Sequence, residues 1–152
     1  MSEGAPRKPR IFVDADALFA GSASPTDYGA SFVLLRMAEI TLIDALTSQQ
    51  VITEVERNLQ VKLPSALPAF RLLVQRCLEV VPNPDDEVVH GHEGRADRKD
   101  LPILVAALRE GCPWLITFNV RDYEPGHPDI TVLTPGEFLS EVRYLLGQLG
   151  EG

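Results

Sequence analysis

Acidic residues in this sequence recur where an apolar run begins or stops. Ile11-Phe-Val13 ends in Asp14-Ala-Asp16, and Trp114-Leu-Ile is followed by Thr117, Asn119 and Asp122. Asp97 and Asp100 precede Ile103, Leu104, Ala107 and Leu108, which share one face at helical spacing. Glu54 flanks another stripe, Val51, Val55 and Leu59, one turn after Val51 and one before Asn58. Two carboxylates ~4 Å apart repel by about 4 kcal/mol at an effective dielectric of about 20, so gathering several requires protons, basic partners or a bound cation. Oxygen-only ligands select hard cations. Mg²⁺ and Mn²⁺ retain waters and accept phosphate oxygens, so phosphoryl chemistry is the natural use of such a cluster. Two ions ~3.5 to 4 Å apart could activate water and stabilise the leaving oxygen.

Each residue also has a plainer role. Asp14 could be a strand-end turn residue, Asp100 an N-cap, and Glu54 with Glu56 solvated helix charges. Arg95, Arg98 and Lys99 are either solvated charges or phosphate contacts beside Asp97 and Asp100. His90-Gly-His92-Glu93 lacks the four ligands of a closed zinc site and reads as part of a mobile loop.

The elements that position these residues alternate between strand and helix. Strands are expected at Ile11–Val13, Ile40–Ile43, Leu78–Val81, Trp114–Thr117 and Ile130–Leu133. Helices are expected from about Tyr28 to Glu39, from a capping box at Thr47-Ser-Gln-Gln50 to about Leu63 before Pro64, and through about Arg76. Another starts near Asp100 and stops at Gly111, and a last one opens at a second capping box, Thr134-Pro-Gly-Glu137. Its Phe138, Val142, Leu145, Leu146 and Leu149 fall on one face, which would be core or, where exposed, a partner surface. Pro82 to Ala96 is expected to be the longest irregular segment. This alternation implies an α/β fold with a central, mainly parallel, five-stranded sheet whose ligand site lies beyond the carboxyl ends of the strands.

Length and charge bound the function. At 152 residues the chain fits one domain, placed at 10–149 behind a disordered leader at 1–9. A net charge of −8 argues against general affinity for nucleic acid, so an RNA substrate would need a local basic patch or bridging cations. No signal-peptide or membrane-spanning run is evident, and Cys77 and Cys112 read as small hydrophobes, which together indicate a cytoplasmic protein.

The same residues resemble the PIN-domain family, in its branch of VapC-like ribonucleases, the toxin components of bacterial toxin-antitoxin pairs. The resemblance runs from Ile11 to about Leu139. It comprises the strand ending in Asp14, a Ser-x5-Glu helix start at Ser48 and Glu54, Asp97-Arg-Lys-Asp100 leading into Leu101-Pro-Ile-Leu-Val-Ala-Ala107, Leu115-Ile-Thr-Phe-Asn-Val-Arg-Asp-Tyr123, and Val132-Leu-Thr-Pro135. It implies a three-layer α/β/α nuclease fold, Mg²⁺ or Mn²⁺ dependence, cleavage of single-stranded RNA, homodimers, and inhibition by a co-encoded antitoxin.

Asp14, Glu54 and Asp100 match the family's first three acids, and Asp97 a frequent accessory acid. Where many members carry a fourth Asp this chain has Asn119, with Asp122 as the carboxylate that could replace it; Thr117 and Asn119 would then face substrate. Where members often have a hydroxyl or amide residue after the first acid, Ala15 and Asp16 stand here, so that Asp16 adds an accessory acid. Two other readings fit part of the pattern. Ile11-Phe-Val-Asp14-Ala-Asp16 also resembles the first motif of haloacid-dehalogenase-type phosphatases, with Asp14 as nucleophile. Asn119 is also compatible with a catalytically impaired PIN fold kept as a binding or regulatory module.

Overall fold

The short apolar runs become five strands in the computed structural model, which describes residues 8–23 and 29–150. They are β1 (Arg10–Val13), β2 (Asp44–Ser48), β3 (Leu78–Val81), β4 (Trp114–Ile116) and β5 (Thr131–Leu133), in the order β3-β2-β1-β4-β5 and all parallel. Between and after them lie α1 (Ala15–Ala23), α2 (Ala30–Glu39), α3 (Gln49–Lys62), α4 (Leu67–Cys77), α5 (Asp86–His90), α6 (Leu101–Arg109) and α7 (Pro135–Gly150). Most of the expected leader, residues 1–7, and the expected helix start at Tyr28 lie outside the described residues.

The layers follow from the strand order. From β1 the chain steps to β2 and then β3, so right-handed crossovers put α1 to α4 on one face, where they pack on one another. It then returns past β1 to β4, and the same handedness places α5 and α6 on the other face. α7 comes back to the first face against α2. The result is a three-layer α/β/α fold. Central β1 is covered on both sides, which is why Ile11, Phe12 and Val13 are all buried without alternation. No helix among the described residues is long and apolar enough to cross a membrane. Both cysteines are free, and burial pushes the Cys112 thiol up to about 11.

Several expectations need correction. Ile40–Ile43 is not a strand. Thr41 takes φ 65°, its N–H bonds Ala38 O at 3.1 Å, and Leu42 N–H bonds Met37 O at 2.9 Å, the paired closure that ends a helix on a left-handed residue. The second strand therefore starts at Asp44, and Thr41 holds a conformation that costs a β-branched residue about 1 to 2 kcal/mol. The capping box at Thr47 does not form either. Thr47 is a buried strand residue whose hydroxyl donates to Val13 O at 2.8 Å, while the start of α3 is capped by Asn83, whose Oδ1 accepts Gln50 N–H at 2.7 Å. The stretch from Pro82 to Ala96 contains α5, and α1, starting one residue after β1, was not expected at all.

The box at Thr134 does form, with Glu137 N–H on Thr134 Oγ1 at 3.1 Å and Thr134 N–H on Glu137 Oε1 at 3.0 Å. Phe138 is buried edge-on against Trp114 at 5.9 Å between ring centres. Val142 is half-buried. Beyond it Leu145, Leu146 and Leu149 are exposed, so the apolar face of α7 is core only over its first turns.

Candidate metal centre

In an open parallel sheet the crevice for ligands opens where successive connections leave in opposite directions, beyond the carboxyl ends of the strands. Here that point lies between β1 and β4, where Val13 pairs with Ile116. The next residues of the two strands are Asp14 and Thr117. Asp14 N–H donates to Ile116 O at 2.9 Å and Thr117 N–H to Leu133 O at 2.9 Å, so both leave the sheet in register.

Asp14 is buried and well supplied with donors. Its Oδ1 accepts Ala15 N–H at 2.7 Å, and its Oδ2 accepts the Tyr123 hydroxyl at 2.8 Å and the Thr117 hydroxyl at 3.0 Å. Burial raises its pKa, and the Tyr123 bond does most to oppose the rise. Tyr123 itself is buried, and its own ionisation is pushed upward by desolvation and the Asp14 charge.

Asp16 belongs to the same donor system. Its Oδ2 accepts Phe118 N–H and the Asn119 amide, both at 3.0 Å, and its Oδ1 accepts Ala17 N–H at 2.6 Å. Thr117 Oγ1 is 3.2 Å from both Asp16 oxygens and 3.0 Å from Asp14 Oδ2. A hydroxyl has one proton, so these two carboxylates share it. Burial and the Asp14 charge raise the Asp16 pKa. Asn119 thus spends its amide on Asp16.

The second group of acids is differently placed. One carboxylate oxygen from each of Asp97, Asp100 and Asp122 lies within 4.8 Å of the others. Asp97 N–H bonds Asp122 O at 2.7 Å, which sets the two chain segments side by side. Asp100 stands at the N-cap position of α6, yet its side chain makes no capping bond, and its Oδ2 is buried with no hydrogen-bond partner among the described residues. Burial first, then the Asp14 charge, push its pKa up to about 7; Lys99 opposes the rise, and Asp122 and Asp97 add smaller contributions to it. Glu54 lies on the exposed rim and is raised by desolvation and by Asp14, with Lys99 and Arg57 opposing. Asp14 therefore acts on Asp100 and Glu54 alike, which sets the three in one electrostatic field.

These donors fit a hard divalent cation. They are carboxylate oxygens without thiol or imidazole, they repel one another, and an orphaned oxygen of Asp100 sits among them. Ser48 lies buried at the end of β2, on the same sheet edge, with its hydroxyl likewise unpartnered.

The basic residues divide. Lys99 is exposed and its charge is felt by Asp14, Glu54 and Asp100. Arg98 lines a groove over α5 with Asp86, His90 and Glu93. Arg95 Nη1 donates to Gly126 O at 3.1 Å.

A family model described as PIN domain matches residues 10–121. The chain belongs to the PIN-domain family. The fold is similar to that of two solved structures. VapBC2 from Rickettsia felis, in a crystal structure bound to a DNA fragment from their promoter, aligns at TM-score 0.61 and 15% identity over 82% of this chain and 98% of that one. Mycobacterium tuberculosis VapC20, a Sarcin-Ricin loop cleaving toxin, aligns at TM-score 0.56 and 16% identity over 79% and 98%. At such identities the likeness is one of fold. No curated protein matches the chain significantly by sequence.

Membership of the PIN family removes the phosphatase reading of Asp14. Sequence reasoning missed Tyr123 as part of the site. Its signal was a tyrosine in a segment bound for the core, whose hydroxyl had to find a partner there.

Proposed function

We propose that this PIN domain is a metal-dependent endoribonuclease that cleaves single-stranded RNA, with Mg²⁺ or Mn²⁺ held by Asp14, Asp97, Asp100 and Asp122. The observation that carries the reading is the Asp97, Asp100 and Asp122 cluster, with an Asp100 oxygen that has no partner among the described residues and an Asp100 carboxyl that feels the Asp14 charge. A bound divalent ion supplies Lewis-acid polarisation of a phosphate oxygen and a bound water of lowered pKa.

The chain's own groups do the rest. Tyr123 and Thr117, both on the segment that follows β4, fix the Asp14 carboxylate by hydrogen bonds. Glu54, whose pKa is raised by burial and the Asp14 charge, is assigned the proton of the attacking water in this reading. Lys99 offers an exposed cation to a phosphate, needed in a chain of net charge −8. Asp16 and Asn119, bonded to each other, brace the Thr117 end of the site, and Ser48 is an accessory residue on the same sheet edge.

Two further parts of the proposal draw on the sequence resemblance to toxin components of toxin-antitoxin pairs: pairing with a small co-encoded antitoxin, and a homodimer, which the exposed Tyr144, Leu145, Leu146 and Leu149 of α7 would favour. Light scattering at micromolar concentration checks the dimer, and a lone monomer would refute it. For the activity, purified protein is incubated with single-stranded and duplex RNA in Mn²⁺, Mg²⁺ or EDTA. Cleavage of the single strand with either ion and none in EDTA is expected. No cleavage, together with no heat of Mn²⁺ binding, would overturn the reading.

A further inference from the structure

Arg95 stands in a run of basic residues beside the acids, where a phosphate contact is the obvious role. Its bonds indicate another. Arg95 O accepts Gly126 N–H at 2.7 Å, and the Arg95 guanidinium donates back to Gly126 O at 3.1 Å. Two residues on, Asp97 N–H donates to Asp122 O at 2.7 Å. Residues 95–97 and 122–126 are thus fastened together, with the His92 and His127 rings edge-on at 6.1 Å beyond them.

Asp97 and Asp122 are the carboxylates that this fastening brings into one cluster. Like charges on two irregular segments separate unless the backbone holds them, so the fastening opposes a repulsion built into the site. Gly126 is suited to its place. It takes φ +77°, and a Cβ there would come within 3.0 Å of Tyr123 O.

We propose that Arg95 and Gly126 form a latch that positions Asp97 and Asp122 for cation binding, and that Arg95 is a positioning residue and not an RNA contact. The inference rests on the metal-dependent reading above. Partners of metal ligands commonly change affinity or activity by about 10- to 100-fold when altered, because they fix the ligands' geometry.

The test uses the full chain and two variants, Arg95→Met, which keeps the stem and loses the donor, and Gly126→Ala, which strains the latch and removes no cation. Mn²⁺ binding to metal-free protein is measured by calorimetry, and RNA cleavage is followed over a range of salt. Both variants are expected to bind Mn²⁺ roughly tenfold more weakly and to lose kcat, with KM for RNA and its salt dependence unchanged. If Gly126→Ala fails to fold, as Trp114 fluorescence would reveal, Arg95→Met decides alone. A raised KM with a shallower salt dependence and unchanged Mn²⁺ affinity in Arg95→Met would make Arg95 a phosphate contact and overturn the latch. So would variants that match the wild type throughout. A wild-type protein that binds no Mn²⁺ would overturn the proposed function itself, and the latch with it.

Discussion

Asp14 and Asp16, at the end of the central strand, accept hydrogen bonds from Ala15, Ala17, Thr117, Phe118, Asn119 and Tyr123. Asp97, Asp100 and Asp122, gathered from the two loops ahead of α6 and after β4, are instead held by backbone bonds, and one Asp100 oxygen has no partner among the described residues. In the first group Asp14 is buried and Asp16 half-buried, and the protein's own donors orient both carboxylates. The second is clustered yet short of donors, an arrangement a cation would complete. The contrast teaches that closeness of acids is a weaker sign of a metal site than closeness without enough hydrogen-bond donors.

The largest effect that could break this contrast is expected from Asp100→Asn. If Asp100 belongs to the starved group, the variant loses metal-dependent cleavage by about a hundredfold or more while the metal-free protein becomes more stable at neutral pH. The sign follows from its raised pKa, about 7 when folded against an ordinary aspartate value of 3.8. The folded state holds the proton more tightly, so this group stabilises the fold fully below pH 3.8, and that contribution is lost as pH rises toward and through 7. Melting curves from pH 4 to 8 without metal should fall more steeply for the wild type than for the variant, and Mn²⁺ should raise only the wild-type midpoint. Equal curves and equal cleavage would make Asp100 an ordinary helix-start residue.

Tyr123→Phe probes the other group. Removing a hydrogen bond to a buried carboxylate costs about 1.5 to 3 kcal/mol, and the Asp14 pKa should rise further because the Tyr123 bond is the main influence lowering it. Urea unfolding should show the full loss where Asp14 is ionised and a smaller one in acid. A loss independent of pH would mean that the hydroxyl matters only for packing.

The smallest effect concerns Asp16 and Asn119, whose side chains bond at 3.0 Å. Asp16→Asn and Asn119→Asp should each destabilise. The double variant, which exchanges acid and amide, should recover most of the loss, with a coupling of about 1 kcal/mol by urea titration. Additive losses would show that the two act separately and that the first group is less tightly organised than its distances indicate.

Much of this was legible from residue order. Continuous apolar runs ending in Asp14 and Thr117 announced buried parallel strands, and parallel strands oblige the residues that follow to share an edge. Helix ends were legible where glycine marked them. Gly111 at φ +68° closes α6 by the same pair of bonds that Thr41 makes after α2, but the threonine carries no such signal and sits in an apolar run that imitates a strand. The cap of α3 was hidden for another reason: Asn83 reaches it from 33 positions away, and local pattern does not contain that distance. Tyr123 and the Arg95 fastening were invisible on the same ground, since each acts through the tertiary meeting of two segments.

The place of β1 has a consequence for how the protein is made. Asp14 leaves the ribosome well ahead of Thr117 and Tyr123, which hold its carboxylate and follow 103 and 109 residues later. Until β4 has been synthesised, β1 lacks the neighbour on one of its sides, and the crevice between them does not exist. A partly translated chain therefore carries the early acids without the pocket that organises them. Long-range parallel pairing is also slow to form, so the crevice is completed only after β4 has emerged and paired with β1.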